Sequence, residues 1–175
     1  VVVDAYATGN VSTDLSYAGG FAGTIYGGSI ENVYSSGTVD AGVERAGSFA
    51  GEVYLDFADS LSIKNSFAAG QITSNNGTGG FTANLNTDNI SLVNNYFDIT
   101  LTGQSDCRAV SGAVIGCTGV NDNASQPNYF FDNINAPLST WSFNNVWNSS
   151  NGDYARLNAQ SIDANMVCEG AQVTA

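Results

Sequence analysis

The sequence predicts an all-β chain wound as a parallel β-solenoid of about four to five coils and closed by an aromatic C-terminal segment. Three observations carry this reading. A degenerate repeat recurs at intervals near 30 residues, which is the mark of a solenoid or an array. Apolar residues alternate with polar ones at a spacing of two, the strand period. The composition is poor in helix formers: charged residues are only 11%, and Gly, Asn, Ser and Thr fill their place. Ser, Thr and Asn compete for backbone hydrogen bonds, and Gly costs backbone entropy, so all four disfavour helix.

The repeat opens on an aromatic. Tyr6-Ala7-Thr8-Gly9, Tyr34-Ser35-Ser36-Gly37 and Phe67-Ala68-Ala69-Gly70 are three copies, and Tyr96-Phe97-Asp98 is a worn fourth. Aligning Tyr6, Tyr34, Phe67 and Phe97 gives unequal spacings of 28, 33 and 30 residues, as expected for a fixed coil with loops of varying length. Two residues upstream stand Asp4, Asn32, Asn65 and Asn95, and two further upstream Val2, Ile30, Ile63 and Val93. Each copy then continues through a Gly (Gly9, Gly37, Gly70) to Val11, Val39 and Ile72. A second segment brings Phe21, Phe49, Phe81 and Val114, followed by Ile25, Val53 and Leu85. Three short strands per coil are expected, separated by Gly or Asn turns.

In a parallel solenoid equivalent strands stack at about 4.8 Å, so like lies on like. The columns Tyr6–Tyr34–Phe67–Phe97 and Phe21–Phe49–Phe81 are then expected as stacked ladders inside the coil, because they alternate in phase with aliphatic residues. Asn32, Asn65 and Asn95 are expected as an amide ladder, each side chain bonding the next coil. The Gly column marks turns that need a positive φ or a close backbone approach.

Residues 1–125 are read as solenoid and 126–175 as cap and tail. Trp141, Phe143, Val146 and Trp147 are expected to cover the last coil, since an open solenoid edge recruits other chains; an aromatic sugar platform is the rival reading of these rings. The N-terminal edge carries no comparable cap, and strand addition by another molecule is one way to cover it. No signal peptide is read. The chain opens in mid-repeat, which reads as a mature product or a piece of something longer.

Cys107 and Cys117 flank a Gly-containing loop, and a local disulfide is expected in an oxidising compartment; two buried free thiols are the alternative. Cys168 is left over. Four basic against sixteen acidic residues give a net charge of −12, which argues against nucleic acid and anionic membrane surfaces as partners. No apolar run approaches the 18 or so residues of a membrane span.

The phrase Ala18-Gly19-Gly20-Phe21-Ala22-Gly23, following Tyr6-Ala7-Thr8-Gly9, resembles the GLUG-motif repeat of bacterial surface proteins. The family's usual phrase is closer to Gly-Gly-Leu-Val-Gly; Phe21, Phe49 and Phe81 replace its Leu, and Thr82-Ala83 loses the closing Gly. The resemblance covers residues 1–120. The segments around Tyr129-Phe130, Trp141–Trp147 and Tyr154-Ala155-Arg156-Leu157 are similar to the family's array-closing tail, with Ala155 where Pro is usual. It implies secreted or cell-surface proteins of adhesin type and brings no catalytic residues.

Chemistry is sparse. There is no His, so Ser-His-Asp and Cys-His catalysis are excluded and no imidazole can ligate zinc. A polysaccharide-active enzyme would need two carboxyls about 5–10 Å apart; Asp56 with Asp59, and Asp98 with Asp106, are the candidates. No cofactor is expected, although Asp98, Asp106, Asp122 and Asp132 are oxygen ligands of the type Ca²⁺ takes. The expected function is an extracellular structural or adhesion module, serving as stalk, adhesin segment or fibre subunit able to stack end to end. A module binding glycan or another repetitive surface is the runner-up. Thr24, Glu52 and Asn84 do not form the Thr row that ice binding needs.

Overall fold

A computed structural model describes residues 1–14, 16–55, 60–86, 89–121, 130, 132–149 and 154–158. They form an all-β parallel solenoid of about three turns. The first coil holds β1 (Val2–Ala7), β2 (Val11–Ser12), β3 (Ala18–Gly19) and β4 (Ala22–Ile25). The second holds β5 (Gly28–Ser35), β6 (Val39–Asp40), β7 (Ala46–Gly47) and β8 (Ala50–Val53). The third holds β9 (Leu61–Lys64), β10 (Phe67–Ala68), β11 (Ile72–Thr73), β12 (Thr78–Gly79) and β13 (Thr82–Leu85). Each coil thus has four strand positions rather than three, because the Gly-Gly-Phe phrase is itself a corner between two strands.

Among the described residues three of the four faces have three strands, which is why the coil count is about three and not four to five. The remaining face runs on through β14 (Ile90–Val93), β15 (Asn95–Asp98) and β16 (Cys117–Val120). After β15 the chain leaves the coil path. Asp98 caps a short helix, α1 (Ile99–Thr102), by accepting from the Thr100 and Leu101 amides, and Gly103 ends the helix in a left-handed conformation.

Register follows the repeat through the first three coils: Val2↔Ile30↔Ile63, Val11↔Val39↔Ile72, Gly19↔Gly47↔Gly79 and Ile25↔Val53↔Leu85; the fourth member of the first column is Leu92 rather than the expected Val93, which pairs with Lys64 and is exposed. The interior of the coil is built from Ile25, Ile30, Val33, Phe49, Val53, Leu61, Ile63, Phe81, Leu85 and Phe97. Gly47 sits where two backbones meet: a Cβ there would run into the Ala50 carbonyl and lie 2.7 Å from the Ala83 nitrogen. Close approach, not positive φ, is what these corners require of Gly.

Two sequence expectations shift at the aromatic column. Tyr6, Tyr34 and Phe67 are in register, but the fourth rung is Tyr96; Phe97 pairs with Ala68 and faces the interior. The Asn column slips with it, to Asp4, Asn32, Asn65 and Asn94 rather than Asn95. All four have left-handed backbones, with φ of 54°, 56°, 48° and 55°. The doublets Asn94-Asn95 and Tyr96-Phe97 fit either alignment, and packing chooses: Phe97 fills the coil where Gly80 and Gly119 leave room.

The second shift is one of side. A left-handed residue resets the strand alternation, so Ile30 and Val33 both point inward and Tyr34 points out. The Tyr6–Tyr34–Phe67–Tyr96 ladder therefore runs along the outer surface, not inside the coil. The Phe21–Phe49–Phe81 ladder is the interior one, with centroids 5.2 and 4.4 Å apart. Its fourth rung is Cys107 rather than Val114: Phe81 N–H donates to the Cys107 carbonyl at 3.0 Å, as Phe49 N–H does to that of Phe81 at 2.8 Å. Among the described residues no helix is long and apolar enough to cross a membrane.

Candidate functional site

The outer aromatic ladder is the most distinctive surface element of the chain. Its rungs are nearly parallel stacks: Tyr6–Tyr34 at 5.5 Å and 13°, Tyr34–Phe67 at 4.9 Å and 3°, Phe67–Tyr96 at 5.1 Å and 6°. An apolar stripe of this kind on an outer face needs cover. The C-terminal segment supplies it. Phe130, Leu138, Trp141, Trp147, Ala155 and Leu157 are buried against Tyr34, Phe67 and Tyr96, with Phe143, Val146 and Tyr154 packed around them. Among the described residues the tail rings thus cover the side of the solenoid as a lateral strap, not as a lid over its last coil.

Polar contacts align the strap. Trp141 Nε1–H donates to the Asn94 carbonyl at 3.1 Å. The Tyr154 hydroxyl donates to Asp98 Oδ2. Trp147–Asn148 (β17) pairs antiparallel with Arg156–Leu157 (β18) and closes the strap on itself. A hydrogen bond to a charged group contributes about 1.5–3 kcal/mol, comparable to the burial of a single large ring at ~1.5–3 kcal/mol. Several rings are buried, so burial sets the attachment and the hydrogen bonds set its alignment.

Burial also acts on the Tyr96 phenol. It is fully enclosed, and desolvation, reinforced by the nearby Tyr154 and Asp98, pushes it well above its usual value. Its oxygen and Trp147 Nε1 have no hydrogen-bond partner among the described residues.

The ladder emerges from the strap at its first rung. Tyr6 is 49% exposed, whereas Tyr34 is 6% and Phe67 0%. Here a cleft of about 340 Å³ opens between Tyr6, Tyr34 and Phe67 on one side and Tyr154, Ala155 and Arg156 on the other, with Thr8 and Ser36 on its wall. From the sequence, Thr8 and Ser36 carried no binding role, and Tyr154 and Arg156 stood only in the array-closing tail. The usable signal for the first pair is their fixed offset, two residues after the repeat aromatic.

The polar ladder exists in part: Asn32 Nδ2 donates to Asp4 Oδ1 at 2.9 Å and Asn65 Nδ2 to Asn32 Oδ1 at 3.5 Å. Asp4, an acceptor only, suits the end of a chain of donors. Asn95 is instead a buried clamp, accepting from Ser66 N at 3.0 Å and donating to the Ile63 carbonyl at 2.8 Å. Cys107 and Cys117 form a disulfide. Asp98 is 2% exposed and committed to capping α1 and holding Tyr154. Asp106 accepts from Ser105 Oγ at 3.1 Å. Asp56, Asp59, Asp122 and Cys168 lie outside the described residues. Among the described residues no three of His, Cys, Asp or Glu are grouped to hold a metal ion. Asn84 Nδ2 donates to Glu52 Oε1 at 2.7 Å, a mixed ladder rather than a Thr row.

The family model described as the GLUG motif matches residues 14–40, consistent with a GLUG-motif repeat protein. The match spans the strands from β3 to β6, the corner of the first coil and its passage into the second. No curated protein and no solved structure matches the chain.

Proposed function

We propose that this chain is a structural module of a secreted or cell-surface protein, a stiff β-solenoid spacer of the adhesin, stalk or fibre type. The observation that carries the reading is the identity of the coil-to-coil contacts. Each strand position in coils one to three repeats the same pairings, reinforced by aromatic ladders inside and outside. Such a stack transmits load along its axis through parallel hydrogen bonds and is extended by adding coils. The lack of any His removes the commonest general base and supports a non-enzymatic role. The Cys107–Cys117 disulfide supports an oxidising compartment.

The outward edge of β1 is the point at which further coils, or a second copy, would add by strand pairing. No cofactor is required by this role, and nucleic acid is disfavoured by the charge of −12.

Thiol trapping in the source cells, combined with a membrane-impermeant amine label, tests the compartment. Cys107 and Cys117 should be recovered oxidised and the protein labelled on intact cells. Reduced thiols and an unlabelled protein would overturn the assignment. Sedimentation velocity over a wide concentration range tests the fibre version, which a strictly monomeric chain would eliminate.

A further inference from the structure

We propose that the cleft at the exposed end of the outer aromatic ladder binds a saccharide, with Tyr6 as its stacking platform. This goes beyond the spacer role and stands without it. The ligand class follows from the lining. The aromatic side is Tyr6, half exposed and held flat by its stack on Tyr34. A ring fixed in this way loses little rotamer freedom when a ligand stacks on it, which favours affinity. The polar sides are the exposed Thr8 and Ser36 hydroxyls, one coil apart and therefore about 4.8 Å along the axis, and the exposed Arg156 opposite them.

An occupant must therefore offer an apolar face and a rim of hydroxyls. A pyranose does both: its C–H face stacks on an aromatic ring, and its hydroxyls pair with Ser, Thr and guanidinium groups. A purely apolar ligand would strand the Thr8 and Ser36 hydroxyls. A polyphosphate would meet one cationic side chain in the cleft on a protein of net charge −12. The volume of about 340 Å³ lies at the small end of ligand sites, which run from about 300 to 1,000 Å³. Two other concavities among the described residues lack this mixture. The groove at Asp40, Thr73, Ser74 and Thr78 has no aromatic ring, and the hollow at Leu85, Ile90, Leu92 and Val114 has no polar side chain.

The test is calorimetric titration of the chain with hexasaccharides of two kinds, neutral (cellohexaose, chitohexaose, xylohexaose) and acidic (hexagalacturonate). At least one should bind, and Tyr6→Ala should weaken it about tenfold or more. Tyr6→Phe should keep most of the affinity, and Arg156→Ala should weaken it, most for the acidic oligomer. Tyr26→Ala, at an equally exposed aromatic outside the cleft, should leave affinity unchanged. Urea unfolding of each variant confirms that the fold is kept. No binding by either kind of oligosaccharide at about 10 mM, or binding that Tyr6→Ala leaves unaltered, would overturn the proposal.

Discussion

The ring of Tyr34 lies parallel to that of Phe67, with centroids 4.9 Å apart and planes within 3°, although the two residues are separated by a whole coil. The pair is also the ground on which Trp147 rests, at 6.2 Å from Tyr34 and 6.0 Å from Phe67. One contact thus joins coil stacking to strap attachment.

Phe67→Ala should be the costliest single truncation of the ladder. Phe67 is fully buried between Tyr34 and Tyr96 and beneath Trp141, Trp147 and Tyr154. A loss of about 3–5 kcal/mol is expected from such a deletion. Tyr6→Ala, at the open end, should cost clearly less. Urea denaturation of the two variants side by side checks the ordering; equal losses would contradict it.

Asn65 has φ of 48°, a conformation that costs an ordinary L-residue about 1–2 kcal/mol. Asn65→Gly should therefore be milder than Asn65→Ala, even though both remove the bond to Asn32. Thermal melts of the pair suffice. A Gly variant no more stable than the Ala variant would show that the left-handed backbone does not govern the corner.

Gly47→Ala should disrupt the coil, since the new methyl would meet the Ala50 carbonyl and the Ala83 nitrogen, neither of which can swing aside. Gly9→Ala should be nearly silent, because nothing lies within 4 Å of a Cβ there. Circular dichroism and yield of folded protein distinguish the two.

Tyr96 gives a pH dependence with a definite sign. Its folded-state pKa lies well above the usual 10, so the folded state keeps a proton that the unfolded chain releases. The contribution of this group is fully present below pH 10 and is lost as pH rises from there through the folded value. Tyr96→Phe should remove that alkaline loss. It should also be neutral or stabilising at pH 7, because the hydroxyl has no partner among the described residues. Unfolding free energies measured from pH 7 to 11 check both parts. Parallel curves for the two proteins would refute the assignment of the alkaline limb to Tyr96.

Much of the coil was legible in the sequence because like residues stack on like. Three clean copies set the pairs Tyr6–Tyr34–Phe67, Gly19–Gly47–Gly79 and Ile25–Val53–Leu85. The fourth copy misled because Asn94-Asn95 and Tyr96-Phe97 satisfy the pattern in two registers, and only the space beside Gly80 and Gly119 selects one. The sidedness of the ladder was hidden for a different reason. A spacing of two implies a common face only while the backbone stays extended, and Asn32 breaks that condition with a positive φ. The strap was visible as a cluster of rings, but its docking place was not: Trp141 reaches Asn94 across 47 residues, and nothing local encodes that distance. The Cys107–Cys117 bridge was readable because its partners are only 10 residues apart.

Because coil two meets its neighbours above and below through matching pairs, a duplicated copy of it would slot into the stack without inventing a new interface. Gene-level lengthening of the rod is then cheap in folding terms. The strap does not scale with it: a tail of fixed reach covers a fixed number of rungs, so every added coil leaves one more aromatic ring bare on the flank. Array length and the extent of sticky surface would grow together.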